Sequence, residues 1–400
     1  MRSTLLRSIP CVCLLAAPLA CGGPQADDIG EGETTGTEGS TDTDGGDGDG
    51  DGDGDPVPDP DPEIIWVMED VVFYDGYAAT VDEPVPEGVL RHSNSLHAIK
   101  FTDEQVAKIQ NTLKIGVIVG ALCDNYDRIG AVHLALVPKG AQTYVPADVQ
   151  RVELARFITP FMNMNKNPKE VPYEFEVDSV APILKNEALL AEYDLWFELS
   201  IFGVPYAANT EVPGCEGRID TQLGSLLLYT DSMQAPEDFN VLLPLAIGEA
   251  FNNYAEGASD AIGTTRKTVE FELDADTDNA QLVLITSNHG ANAGGEEYIR
   301  REHYAYVDGE LALQYKPGRD TCEPFRIYNT QGNGIYGQFP KSDEEWQSFS
   351  NWCPGDVIDI RIIPWGPASA GTHEFVLDVP DATFVGGQGN FPFSLYVQAQ

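Results

Sequence analysis

Basic residues are scarce in this 400-residue chain: 23 Lys and Arg stand against 64 Asp and Glu, for a net charge of −41, and none lies between Arg7 and Arg91. Such a field repels phosphate backbones, so nucleic acid is excluded as a partner. Beyond the N-terminus no apolar run approaches the roughly 18 residues that a membrane-spanning helix needs. Histidine is sparse as well, at positions 92, 97, 133, 289, 303 and 373, with no HxH and no helical i,i+4 pair. With no CxxC either, nothing has the spacing of a metal centre, and no metal or cofactor is expected. Met162 and Met164 lie close together but without a histidine beside them, which counts against a copper monooxygenase built on paired β-sandwiches. GxSxG, the P-loop and GxGxxG are missing in context, which removes the usual serine hydrolases, nucleotide hydrolases and dinucleotide enzymes.

What is there begins with an export segment. Arg2 and Arg7 precede a short apolar run, Ile9 to Ala20, closed by small residues. The ending Pro18-Leu19-Ala20-Cys21-Gly22-Gly23 looks like a bacterial lipoprotein signal with Cys21 as the acylated residue, although Pro18 sits where Leu is usual; simple secretion is the alternative. Residues 1–21 are thus read as the signal, and the protein as exported, either secreted or an outer-membrane or cell-surface lipoprotein. Residues 22–63 form an acidic Gly/Asp/Pro-rich linker, including DGDGDGDGD at 47–55, too polar and too like-charged to fold. Its Asp-Gly run imitates the start of a calcium loop. The twelfth position, where a bidentate Glu belongs, falls on Pro58, Pro60 or Pro62 according to the starting Asp, so a stalk is the better reading. Cys11 and Cys13 leave with the signal. Cys123, Cys215, Cys322 and Cys353 remain, and four thiols in an exported chain pair in one of three ways. Dividing them by domain favours Cys123–Cys215 and Cys322–Cys353.

From Ile64 the pattern is β. Short runs rich in Val, Ile, Phe, Tyr and Leu recur between Gly/Pro/Asn/Asp clusters, among them 114–122, 131–137, 194–202, 224–230, 268–275, 281–286, 373–379 and 392–397. Asp308-Gly309 marks a tight hairpin. Asp103 to Leu113 has poor helical spacing and reads as loop running into strand. Strands without alternating helices imply antiparallel sandwiches. A turn-rich break near 232–236 divides the body into domains at 64–234 and 235–400, which fits an all-β fold of two adjacent jelly rolls.

Candidate chemistry lies in three places. Cys123-Asp124-Asn125-Tyr126-Asp127-Arg128 is a turn between apolar strands, followed by the run RFITPF at 156–161. A carboxylate at such a strand end is held by the scaffold yet open to a cleft, although an Asp-Arg pair also simply caps a turn. Glu198 lies in a strand among aromatics, on the same face as Trp196, as either an edge residue or a buried functional acid. Glu297 follows a Gly-rich loop that starts at Ser287-Asn288-His289-Gly290 and leads to Tyr298, Arg301 and His303. Carboxylates with separated pKa values can divide acid and base work, one activating an attacking group and another protonating a leaving group.

The CDxxDR turn followed by RFITP resembles the peptide-N-glycosidase F family, amidases that remove N-linked glycans from asparagine. The strand, Gly and His, small-residue loop, Glu-aromatic and Arg-x-His order around Glu297 is similar to the family's second domain. So are Trp346 and Asn351-Trp352-Cys353-Pro354-Gly355, with Cys322 at the position of that cysteine's partner. The resemblance covers nearly all of 95–400. It implies two jelly rolls with the site between them and no cofactor. It also implies that Asp127 activates the attacking group, while Glu297 and Glu198 orient water and bind the reducing-end sugar. Tyr126, Arg128, His289, Tyr298, Arg301 and Trp352 would line the site. The chain departs from the family at Tyr126 and Ser200, each where the family has Trp. It departs again at Gly295 and Ile299, where the family has cysteines, at Phe349 for Arg, and in lacking the cysteine that closes the loop before CDxWDR. The expected substrate is an N-linked glycoprotein or glycopeptide and the expected state a monomer. The alternatives are a surface lipoprotein that holds glycan or peptide without cutting it, and a structural surface protein with no ligand.

Overall fold

The computed structural model describes residues 62–250, 261–290, 296–331, 350–384 and 389–400. The export segment, Cys21, the linker up to residue 61, loop residues 291–295, Trp346 and Phe349 lie outside the described residues. The first half of the body carries β1 (Glu63–Tyr74), β2 (Val89–Ser93), β3 (Leu96–Lys100), β4 (Lys114–Ala121), β5 (Ile129–Pro138), β6 (Gln150–Ile158), β7 (Glu170–Glu176), β8 (Tyr193–Ile201) and β9 (Asp220–Thr230). The second half carries β10 (Val241–Ala250), β11 (Arg266–Leu273), β12 (Thr277–Thr286), β13 (His303–Val307), β14 (Glu310–Tyr315), β15 (Val357–Ile358), β16 (Ile360–Ala368), β17 (Gly371–Asp378) and β18 (Pro392–Ala399).

These strands stack as two antiparallel sandwiches. The first pairs β1-β9-β4-β7 with β15-β6-β5-β8-β3-β2, and the second pairs β10-β18-β12-β16 with β11-β17-β13-β14. With the β2–β3 hairpin counted as one element and β15 set aside, the first sandwich reads 1-8-3-6 over 5-4-7-2. The second reads 1-8-3-6 over 2-7-4-5. Both are jelly rolls, in which the chain keeps crossing from one sheet to the other. In each roll the third strand therefore hands over to the fourth through a loop at one end of the sandwich.

Side-chain alternation builds the cores. Along β7 (EVPYEFE) exposed and buried residues alternate without a break, and Val171, Tyr173 and Phe175 point inward. They meet Phe73, Ile115, Val117, Leu134, Phe157, Phe197 and Leu226 in the first core. The second core is built on Phe271, Leu282, Leu284, Phe375, Phe391, Phe393 and Leu395. β5 and β18 are buried along almost their whole length, so both faces of each are covered. The outer face of β18 meets β6 of the other roll, while Ala135 and Val137 on the outer face of β5 are covered within their own roll by Trp196, Ala141, Tyr144 and Val149. A third apolar cluster joins the halves: Ile158 and Phe161 from the first with Ile285, Trp352, Ile358 and the Cys322–Cys353 pair from the second. β15 goes further and adds itself to the first roll's sheet, pairing Val357 and Ile358 with Phe157 and Arg156.

The hairpin at Asp308-Gly309 forms as expected, with φ of 50° and 82° at its two central residues. The segment after Phe101 differs from the sequence reading. Asp103–Val106 is one turn of helix, closed by a capping box in which the Thr102 side chain and Gln105 bond each other's backbone. Reciprocal capping of that kind stabilises a turn too short to show apolar periodicity. Cys123 bonds Cys215 and Cys322 bonds Cys353, the pairing that division by domain favoured.

Candidate active site

The loop from β4 to β5 is held on several sides. Cys123 is tied to Cys215, and its N–H donates to the Asp220 carbonyl at 3.2 Å. Asp124, buried, accepts the backbone N–H of Tyr126 at 3.0 Å, closing an Asx turn, and that of Val204 at 2.7 Å. It also takes Arg128 Nε at 2.6 Å. Thr159, next to the β6 terminus, accepts the Arg128 N–H at 2.8 Å and donates its own N–H to the Arg128 carbonyl at 2.8 Å. Among the described residues no cation pairs with Asp127, the other carboxylate of this frame. Asp124, not Asp127, is the acid that caps the turn against Arg128.

The loop leaving β12 supplies the opposite wall. Glu297 is 9 % exposed, and one of its carboxylate oxygens accepts the Gly290 N–H at 2.9 Å. Its carbonyl accepts the Asn351 N–H at 3.1 Å and the Ser350 hydroxyl at 3.2 Å. The 350–356 segment is itself docked on the first roll, where Gly355 N–H donates to Ile158 and Ile158 N–H to Asp356. Trp352 hands its indole N–H to the Asn288 carbonyl at 3.1 Å and lies at 5.8 Å and 30° from the His289 ring.

Between these walls is a cleft of about 270 Å³ lined by Tyr126, Asp127, Arg128, Ile129, Ile158, Phe161, His289, Glu297, Tyr298 and Trp352. Acids from two different sandwiches thus share one small space. Burial, and then the negative charge of Glu297, push Asp127 up to about 7, against the pull of Arg128. Burial also raises Glu297, opposed by the Gly290 N–H and the Tyr298 hydroxyl. Burial, and then Arg156, lower His289 to about 3, so its imidazole is neutral throughout the ordinary pH range. The apolar floor of Ile129, Ile158 and Phe161 was not singled out from sequence as site-lining, although RFITPF contains two of the three. A carboxyl that holds its proton near neutrality, beside a second acid and a neutral imidazole, can exchange protons with water and with an amine.

Glu198 does not reach this cleft. It is fully buried on the face of β8 that carries Trp196, its cross-strand neighbours being His133 on β5 and Ala98 on β3. There Arg151 Nε donates to it at 2.9 and 3.0 Å and the Tyr144 hydroxyl at 2.7 Å. Burial alone would raise its pKa, but His133 and Arg151 outweigh that and hold it down at about 2. Such a carboxylate is committed to its partners. Arg301 is likewise outside the lining, spent on buried Glu296 at 2.8 and 3.0 Å.

Compared with family models, residues 64–219 match "Peptide-N-glycosidase F, N terminal" and residues 258–398 match "Peptide-N-glycosidase F, C terminal". Among solved structures, PNGF-II is 21 % identical with a TM-score of 0.61, covering 85 % of this chain and 66 % of that one. This chain therefore spans just under two thirds of the length of PNGF-II. Recombinant peptide:N-glycanase F (PNGase F) is 17 % identical at a TM-score of 0.53, covering 85 % and 96 %. PNGase F, described as a glycosylasparaginase from Flavobacterium meningosepticum, is 16 % identical at 0.52 with the same coverage. At these identities the structural likeness speaks for the fold. No curated protein matches the chain.

Proposed function

The chain belongs to the peptide-N-glycosidase F family, and from that premise we propose that it is an exported glycoamidase. It would hydrolyse the amide between the innermost N-acetylglucosamine and asparagine of N-linked glycoproteins. The observation that carries this reading is the pairing of Asp127 and Glu297, from separate sandwiches, across one cleft. Water attacks the side-chain carbonyl carbon while the Asp127 carboxylate takes its proton, and Glu297 orients that water. The C–N bond then breaks as Asp127 returns the proton to the departing nitrogen. The asparagine becomes aspartate, the sugar leaves as a glycosylamine, and no metal or cofactor enters the scheme. A group of pKa about 7 suits both duties, being neither too weak as a base nor too reluctant as an acid. Tyr126, Tyr298 and Trp352 give the aromatic surface against which a sugar ring can lie.

Residues 1–21 are taken as the export signal, with Cys21 as the position for a lipid anchor and the following linker as a stalk. One observation favours the rival, a module that binds glycan without cutting it: Glu198, the third acid expected in the site, is engaged by Arg151 elsewhere. Glycan release from a denatured N-glycoprotein decides between them. Release by the wild type that is lost in Asp127→Asn supports the amidase, whereas binding without release in both supports the module.

A further inference from the structure

Behind the cleft runs a chain of buried polar groups that the scheme above leaves unused. Arg156, on β6 and 2 % exposed, directs Nε and Nη2 to the Glu153 carboxylate at 2.7 and 2.8 Å. The same carboxylate takes the Ser394 hydroxyl. Arg156 turns Nη1 to the Pro392 carbonyl at 2.7 Å and to Ser287 Oγ at 2.9 Å. Ser287 Oγ in turn lies 2.8 Å from His289 Nε2. The series crosses from the first roll to the second and stops at an imidazole on the cleft wall.

Donor bookkeeping fixes the direction of the last bond. A guanidinium can only donate, so Ser287 Oγ accepts from Arg156 and has its own hydrogen to give. The nearest acceptor is His289 Nε2. In the opposite arrangement Oγ would accept twice, and its buried hydrogen would be left without an acceptor, which carries the full desolvation penalty of that group. Nε2 is therefore the bare nitrogen, and the proton of the neutral ring sits on Nδ1. The two ring N–H directions diverge widely, so with Nε2 bonded at the rear, Nδ1 turns away from Ser287, and none of the described residues takes its proton.

We propose that Arg156 and Ser287 are positioning residues that lock His289 as its Nδ1–H tautomer, making it a neutral donor to the carbonyl oxygen of the scissile amide. The inference rests on the amidase reading of the cleft. Several other donors on the lining are already occupied: Arg128 Nε and Nη2 by Asp124, Trp352 by the Asn288 carbonyl, and Tyr298 by Glu297. A donor that carries no charge can stabilise oxygen as it becomes negative without pulling the proton off Asp127. It transfers no proton of its own, so the bonds made and broken remain those written above.

The tautomer is read by nitrogen NMR of the full chain labelled only at histidine, with the His289 signals assigned by their loss in His289→Gln. The expected pattern is a protonated Nδ1 and an unprotonated Nε2 that does not titrate between pH 5 and 8. A protonated Nε2 overturns the inference whatever the activity. Kinetics supply the second arm. Loss of an oxyanion donor costs about 10²–10³-fold in kcat, and His289→Gln is expected to show it with KM little changed. Ser287→Ala should mix the tautomers and lower kcat about tenfold, a partial version of the same donor loss, and Ser287→Thr should restore both. A kcat untouched by Ser287→Ala overturns the positioning role. A locked Nδ1–H tautomer in a protein that releases no glycan overturns the amidase reading and leaves the tautomer assignment standing.

Discussion

Asp127 differs from its neighbour Asp124 in that the cation that would ordinarily neutralise it is used by that neighbour. Arg128 follows it in sequence but turns to Asp124, so the nearest strong influences on Asp127 are burial and the negative Glu297. Used as a base, it should give a kcat/KM that rises with pH around a midpoint near 7, and Asp127→Asn should remove at least about 10³-fold of the activity. Stability carries the same signature with its own sign. A carboxyl raised to about 7 when folded, from 3.8, stabilises the native state fully below the lower value and loses that advantage as pH rises through 7. Asp127→Asn should therefore gain stability relative to wild type between pH 5 and pH 8. With allowance for water in the cleft the gain is about 1–2 kcal/mol, read from denaturant midpoints at the two pH values. A difference that is flat with pH would mean that the carboxyl is ionised throughout and that burial does not govern it.

At the level of strands, β8 holds an acid that lies outside the cleft. Replacing Glu198 by Gln leaves the half-buried Arg151 without its counter-charge, which should cost about 3 kcal/mol. The ion pair's contribution is present above the ordinary value of 4.5 and fades only as pH falls towards 2, so the loss should be full at neutral pH. Glycan release per folded molecule should stay within about threefold of wild type, because the strand's polar face is not part of the cleft; a large loss of kcat at intact stability would return Glu198 to the chemistry. β5 offers a complementary test at Gly130. A Cβ there would sit 2.1 Å from the Phe157 ring, which packs against Tyr173 and has nowhere to go. Gly130→Ala should cost about 1–3 kcal/mol or more by overpacking, seen as a lowered melting temperature. Most of these strands were legible in sequence, since apolar alternation and turn residues mark them directly. That Trp196 and Glu198 share a face was legible too. What that face meets was not, because it depends on which strands flank β8 and on the irregular register between Val132 and His133. Asp124's capping role had a local signal, an Asp two residues before the N–H it accepts, whereas the link from Arg156 to His289 spans 133 positions and exists only once both rolls are folded.

Taken whole, the molecule builds its cleft by repeating one topological position. In each jelly roll the connection from the third strand to the fourth carries the acid, Asp127 after β4 in one and Glu297 after β12 in the other. What aligns them is the 350–356 segment, which holds the Glu297 backbone through Ser350 and Asn351 while Gly355 and Asp356 bond the end of β6. The Cys322–Cys353 disulfide, with a sequence separation of 31, fastens that segment in its middle. Replacing both cysteines by serine should destabilise the protein by about 3–4 kcal/mol on the loop-entropy account. It should also lower the kcat of the folded population about tenfold or more, since a shift of roughly 1 Å in a positioned group is enough for that. The Cys123–Cys215 double replacement, with a separation of 92, should cost slightly more stability and act instead through the turn that carries Asp127. Denaturant unfolding run beside glycan-release kinetics distinguishes the two. Full activity in the folded Cys322→Ser/Cys353→Ser protein would show that the rolls align through their packed strands alone, and that the segment between them is cover and not a clamp.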